Sequence, residues 1–170
     1  EEIGNTAFSR CDNLATVTGF EHLKAWGDRP FHRTPFVEHY ADNLGENPML
    51  IINGILVLAT DCSGVVTIPD EVKEIGGGAF AGSKVTQVII PEHITKIGNG
   101  AFAESELSSV NIPDGVKVIG ANTFADTKNL LEIVLPDSVE EIGDNAFCLS
   151  NLAWIKWSEN IKKIGGWAFC

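Results

Sequence analysis

The sequence predicts a β-rich solenoid: a right-handed stack of 22–23-residue coils, with a parallel sheet on one side and short helical turns opposite, interrupted by a helix and a β-hairpin. Three observations predict it. An Ile-Gly-x-x-Ala-Phe pattern recurs in phase. An alternating apolar segment closed by proline recurs ahead of it. One long gap, from Trp26 to Ile75, breaks the rhythm. Self-similarity at a fixed period in the twenties is the signature of a repeat architecture.

The clear copies begin at Ile3-Gly4, Ile75-Gly76, Ile97-Gly98, Ile119-Gly120, Ile142-Gly143 and Ile164-Gly165, and a worn copy sits at Trp26-Gly27 with Pro30-Phe31. From Ile75 the steps are 22, 22, 23 and 22 residues. Each unit reads L-x-x-V-x-I-P-x-x-V-x-x-I-G-x-x-A-F. In the V-x-I segment (Val66-Thr67-Ile68, Val88-Ile89-Ile90, Ile133-Val134-Leu135) both apolar residues point to one side of a strand. Proline then ends the strand, because it has no N–H for a ladder. The following x-x-V-x-x-I-G stretch is expected to turn the chain, its glycine adopting a conformation that a Cβ would hinder. Ala-Phe closes the coil, with the ring at its centre. One coil buries too little apolar surface to offset the entropy of ordering its residues, so the stacked array is the folding unit.

The gap carries its own signals. Thr34 suits a helix cap, Pro35 the first helical position and Gly45 the end, and Phe36, Tyr40 and Leu44 recur every four residues. That spacing predicts a helix over 34–45. Asn53-Gly54 between Met49-Leu50-Ile51-Ile52 and Ile55-Leu56-Val57-Leu58 predicts a β-hairpin. The reading is one solenoid domain over 1–170, with an insert over 32–62.

Composition narrows the function. The chain has 23 acidic and 12 basic side chains, a net charge of −11. That disfavours nucleic acid and anionic membranes, both of which attract clustered Lys and Arg. No segment approaches the roughly 20 apolar residues of a transmembrane helix. Four cysteines, Cys11, Cys62, Cys148 and Cys170, show no C-x-x-C spacing, so free thiols are the default. Cys148 and Cys170 each follow a repeat Phe in adjacent coils, which leaves a disulfide between them open.

At the run Ile-Pro-Asp-x-Val-x-x-Ile-Gly-x-x-Ala-Phe, clearest over 68–80 and 135–147, the chain resembles the BspA-like (treponemal-type) leucine-rich repeats. The insert, with Thr34-Pro35-Phe36 and then the hairpin over 51–58, resembles an interruption known in that family. Its members often carry Cys three residues after the Phe. Here Cys11 keeps that slot, and Ser83, Ser105, Thr127 and Ser150 replace it. The resemblance implies a leucine-rich-repeat solenoid in a secreted or surface-attached bacterial protein. Some relatives act as adhesins that bind host extracellular or matrix proteins. Both ends of the sequence fall inside a repeat, so further repeats or a further domain are expected beyond Glu1 or Cys170.

Such repeats present the outward positions of their sheet to a partner. Counting by twos places Thr16 and Thr18, Val65 and Thr67, Gln87 and Ile89, Ser109 and Asn111, Glu132 and Val134, and Trp154 and Lys156 on that face. The ligand-binding candidates are Gln87, Ile89, Ser109, Asn111, Glu132, Val134, Trp154 and Lys156. Trp154 is the best single contact, because aromatic residues dominate interface hot spots. Trp157 falls in the inward Ile slot and reads as core. No catalytic, metal or cofactor site is expected. His22, His32, His39 and His93 share no face, and Glu140-Glu141 point apart. Asp70, Asp114 and Asp137 follow the repeat prolines and suit turns in which Asp bonds the backbone two residues on. Gly76-Gly77-Gly78 lacks the Lys-Ser/Thr of a phosphate loop. The expected function is a protein-binding surface, with a structural spacer of a larger surface protein as the alternative, and not an enzyme.

Overall fold

The computed structural model describes residues 2–19, 22–37 and 46–170. Its strands, in chain order, are β1 (Glu2–Ile3), β2 (Ala25–Trp26), β3 (Leu50–Ile52), β4 (Ile55–Leu58), β5 (Ser63–Thr67), β6 (Glu74–Ile75), β7 (Lys84–Ile89), β8 (Ser109–Val110), β9 (Val118–Ile119), β10 (Glu132–Val134), β11 (Glu141–Ile142), β12 (Trp154–Lys156) and β13 (Lys163–Ile164). They form a β-solenoid whose equivalent residues pair in register from coil to coil.

The first side of each coil is the V-x-I strand. Val66 pairs with Val88, and Val88 with Val110, in one parallel sheet (β5, β7, β8). Ile133 pairs with Ile155 in a second (β10, β12). The sheet breaks between β8 and β10, at the one 23-residue step after Ile75. Two residues separate Thr127 from Leu130, where one separates Ser105 from Leu107. The extra residue lengthens the approach to β10.

The second side is the Ile-Gly segment, read from sequence as a plain turn. It forms strands instead. Ile119, Ile142 and Ile164 pair across β9, β11 and β13, and Ile75 bridges Ile97. The glycine's role also differs from expectation. Among the Ile-Gly glycines none has a positive φ. At Gly27, Gly76, Gly98, Gly143 and Gly165 the residue is glycine because the preceding coil's backbone lies against it, and at Gly120 the Asn99 side chain does. A Cβ on Gly143 would meet Ala121 N at 2.6 Å and Gly120 C at 2.8 Å, and one on Gly76 would meet Leu56 O at 2.7 Å.

The third side carries the Ala-Phe turns. Helical turns were expected there; the chain adopts a different ribbon. Positive φ recurs two residues before each Phe (Gly78, Gly100, Asn122, Asn145) and again two residues after it (Gly82, Glu104, Asp126, Leu149). Successive N–H groups therefore alternate in direction. Gly78, Phe80 and Gly82 donate to Asn99, Ala101 and Ala103 of the next coil, whereas Ala79, Ala81 and Ser83 donate three residues back. A helix would spend all its N–H groups within its own coil; this ribbon stitches each coil to the next. The former cysteine slot contributes too, since the hydroxyls of Ser105, Thr127 and Ser150 donate to the carbonyls of Phe102, Phe124 and Phe147.

The apolar interior is split in two. Phe80, Phe102, Phe124, Phe147 and Phe169 stack with centroids 5.1–5.4 Å apart. Phe8 and Phe31 stack at 5.4 Å in a separate cluster. The hairpin lies between them. Asn53 and Gly54 both take positive φ, as the Asn-Gly signal requires. β3 and β4 pair antiparallel, and β4 then pairs parallel with β6, Leu56 against Ile75. Leu56 joins the larger cluster, while Leu50, Ile52 and Val57 join the smaller. Beyond β4 the chain makes an abbreviated coil that sequence reading missed. Ala59 occupies the Phe position, its N–H donating to Ala79 as Phe80 donates to Ala101, and Cys62 occupies the cysteine slot three residues later. Without its Phe this coil carries no recognisable motif. Of the helix expected over 34–45, residues 35–37 are helical; 38–45 lie outside the described residues, so the helix is not established.

Candidate functional site

The outward residues of the V-x-I strands emerge where alternation puts them. Gln87 is half-buried; Thr67, Ser109, Asn111, Glu132 and Lys156 are exposed. Val65, Ile89, Val134 and Trp154 are apolar and yet 61%, 42%, 49% and 52% exposed. Strands cannot hide these side chains, because their inward neighbours Val66, Val88, Ile133 and Ile155 already fill the coil. Parallel pairing sets Glu132 beside Trp154 and Val134 beside Lys156.

The sheet break adds a shape that alternation does not predict. A groove of roughly 510 Å³ runs between β8 and the β10–β12 pair, with Ser109, Asn111, Glu132, Val134, Trp154 and Lys156 along it. Gln87 and Ile89 lie outside it. Asp114 and Asp137 also line it, so three carboxylates, with Glu132, face one ammonium, Lys156. Asn111 has a structural task as well. Elsewhere the strand end is tied by backbone, Ile68 N–H to Ile89 O and Leu135 N–H to Lys156 O. At Ile90 the Asn111 side chain takes over, with Oδ1 accepting from the N–H at 2.8 Å and Nδ2 donating to the carbonyl at 2.7 Å. Its amide is thus occupied before any partner arrives.

Trp157 departs from expectation. Its slot points inward, but the ring is 44% exposed, resting edge-on against Phe169 at 5.5 Å. A buried slot is buried only when another coil lies on it, and no described coil covers this face.

The remaining candidates do not converge. Among the described residues no group of three or more His, Cys, Asp or Glu is placed to hold a metal. His93 Nε2 bonds the Val72 carbonyl at 2.7 Å. His39 lies outside the described residues. Glu140 and Glu141 each meet a lysine of the next coil, Lys162 at 2.6 Å and Lys163 at 3.4 Å. The Lys162 hydrogen bond and charge hold the Glu140 carboxyl below its usual range. Asp137 does not bond the backbone two residues on; its Oδ1 accepts the N–H of Glu159 in the next coil at 3.2 Å. Asparagine and aspartate after the repeat glycine do the same: Asn5 accepts from Asp28, Asn99 from Ala121, and Asp144 from Gly166. An Ile-Gly-Asn/Asp signal was present in the sequence at all three positions.

Cysteine chemistry is structural. Cys148 and Cys170 are disulfide-bonded, Cα atoms 4.6 Å apart, one coil above the other. Cys62 is fully buried, its thiol donating to Pro48 O at 3.3 Å, and burial with the nearby Asp61 charge pushes its pKa up to about 12. Only the thiolate reacts. At pH 8 the native protein is therefore expected to yield one reactive thiol, the exposed Cys11, then two after denaturation and four after reduction. Two fast thiols in the native state would contradict the burial of Cys62, three the disulfide, and four both.

The sequence matches a family model described as the BspA type leucine rich repeat region in six copies, over residues 1–42 and 61–170. Among solved structures, a leucine-rich repeat protein from Bacteroides ovatus is 37% identical over 64% of this chain and 33% of its own, with a TM-score of 0.59. The pneumococcal vaccine antigen PcpA is 20% identical, over 88% of this chain and 42% of its own, with a TM-score of 0.63. A leucine rich cell surface protein from Faecalibacterium prausnitzii is 18% identical, over 96% and 56%, with a TM-score of 0.55. The last two share the fold. The chain spans between a third and somewhat over half the length of these three proteins. No curated protein matches it. No helix among the described residues is long and apolar enough to cross a membrane.

Proposed function

The chain belongs to the BspA-type leucine-rich repeat family, and on that premise we propose that it is a protein-binding module of a bacterial surface or secreted protein, using the groove between β8 and the β10–β12 pair. The observation that carries the reading is Trp154: a large aromatic ring left half-exposed beside Glu132 and diagonal to Val134, in a groove rimmed by three carboxylates. An aromatic anchor with a charged rim is the anatomy of an interface hot spot. The acidic rim favours a partner segment that brings Lys or Arg to an apolar contact. The family resemblance and the cell-surface protein of like fold support an extracellular setting, with host matrix proteins as the partner class.

The test is capture on a panel of immobilised extracellular matrix proteins by wild type, Trp154→Ala and Glu132→Ala. Losing a hot-spot ring costs about 2 kcal/mol or more, some thirtyfold in affinity. Glu132→Ala is expected to weaken binding less and to flatten its salt dependence. Equal capture of all three proteins counts against this face. The absence of capture on every surface favours the second reading, a spacer segment with no ligand of its own.

A further inference from the structure

The chain contains three arginines, and all of them lie on the turn side of the first two coils. Arg10 and Arg33 hold the same position in successive coils, two residues after Phe8 and Phe31, whose rings stack at 5.4 Å. Both have positive φ, and the Arg10 N–H donates to the His32 carbonyl at 2.9 Å. Arg29 sits two residues before Phe31. In later coils the position of Arg10 and Arg33 holds Gly82, Glu104, Asp126 and Leu149. The repeat itself does not ask for a cation there.

Two of these charges have no counterpart among the described residues. Arg29 bonds Glu104 at 3.3 and 3.4 Å. Arg10 and Arg33 make no ion pair among the described residues, although the chain has 23 carboxylates. Like charges stacked one coil apart repel each other, and an anion between them removes that repulsion. The exposed His32 ring registers the field: partial burial, then Arg29 and Arg33, lower its pKa, with Arg10 adding to them and Glu104 opposing.

We propose that Arg10 and Arg33, at equivalent positions one coil apart beside His32, form a binding site for a compact oxyanion of the sulfate or phosphate monoester class. Guanidinium groups present planar forks of donors that match such oxygens in pairs. The ligand is compact because the remainder of the surface is acidic. Beyond a screening length of about 8 Å a polyanion meets repulsion rather than attraction. The site stands on the turn side and is independent of the sheet-face groove.

The experiment is an NMR titration of the Arg Nε–H and His32 ring signals with glucose 6-sulfate, with glucose 6-phosphate, and with sodium chloride at matched ionic strength. Saturable shifts at Arg10, Arg33 and His32 with an ester, absent with chloride, are expected. The titration midpoint of His32 should rise when the ester is bound, because an anion offsets the guanidinium charges. The tighter of the two esters identifies the source of the oxyanion, and equal affinity assigns the shared tetrahedral group. Arg10→Gln with Arg33→Gln should weaken binding at least tenfold with an unchanged melting temperature. Shifts that grow linearly, that chloride reproduces, or that survive in the double variant would overturn the site.

Discussion

Replacing Phe102 by Ala is expected to destabilise the protein by about 3–5 kcal/mol, the range for truncating a fully buried aromatic ring. The ring is fully buried and stacks on Phe80 at 5.3 Å and on Phe124 at 5.4 Å. In a stack, stability is a sum of coil and interface terms, and this substitution damages two interfaces together. The cavity cannot collapse easily, because the backbone on either side is held by the alternating N–H bonds of the turn ribbon. Chemical denaturation measures the effect, and Phe169→Ala is the control. That ring is 42% exposed and meets one Phe, Phe147, at 5.1 Å, so its loss should cost less than half as much. Equal losses would mean that the Phe row is not what joins the coils.

A methyl group at Gly143 is the second large effect. Overpacking costs about 1–3 kcal/mol where side chains can yield, and the upper end or beyond is expected here, because the atoms in the way are backbone. The added Cβ would lie 2.6 Å from Ala121 N, 2.8 Å from Gly120 C and 3.0 Å from Ala121 Cα. Relief requires two coils to separate, which also lengthens the Gly143 N–H to Ile119 O bond, now 2.8 Å. Gly82→Ala isolates the other use of glycine. Its φ is +72° and nothing lies within 4 Å, so only backbone strain of about 1 kcal/mol opposes it, partly offset by a stiffer unfolded chain. If denaturation midpoints fell equally for both variants, close approach would not be the reason for the Ile-Gly motif.

Much of this was legible in one dimension. The recurrence of Ile-Gly-x-x-Ala-Phe was enough to place the coils, because each unit repeats the same inward side chains at the same offsets. Alternation in V-x-I was enough to turn Trp154 and Val134 outward, and Asn53-Gly54 to close the hairpin. What escaped was whatever depends on the neighbouring coil. The abbreviated coil through Leu56, Ala59 and Cys62 lacks a Phe to mark it, and only its pairing with Ile75 and Ala79 reveals it. The Asn111 side chain looks free for a partner until Ile90 is seen to occupy both ends of its amide.

By itself, then, the sequence determined the period, the inward face and the outward column, since those follow from the geometry of a single strand and turn. The tertiary structure alone decided why the repeat glycines are glycine, where the sheet breaks to open a groove, and that Arg10 and Arg33 lie one coil apart. Each of those rests on distances between residues some twenty or more positions apart, and such distances exist only once the coils are stacked.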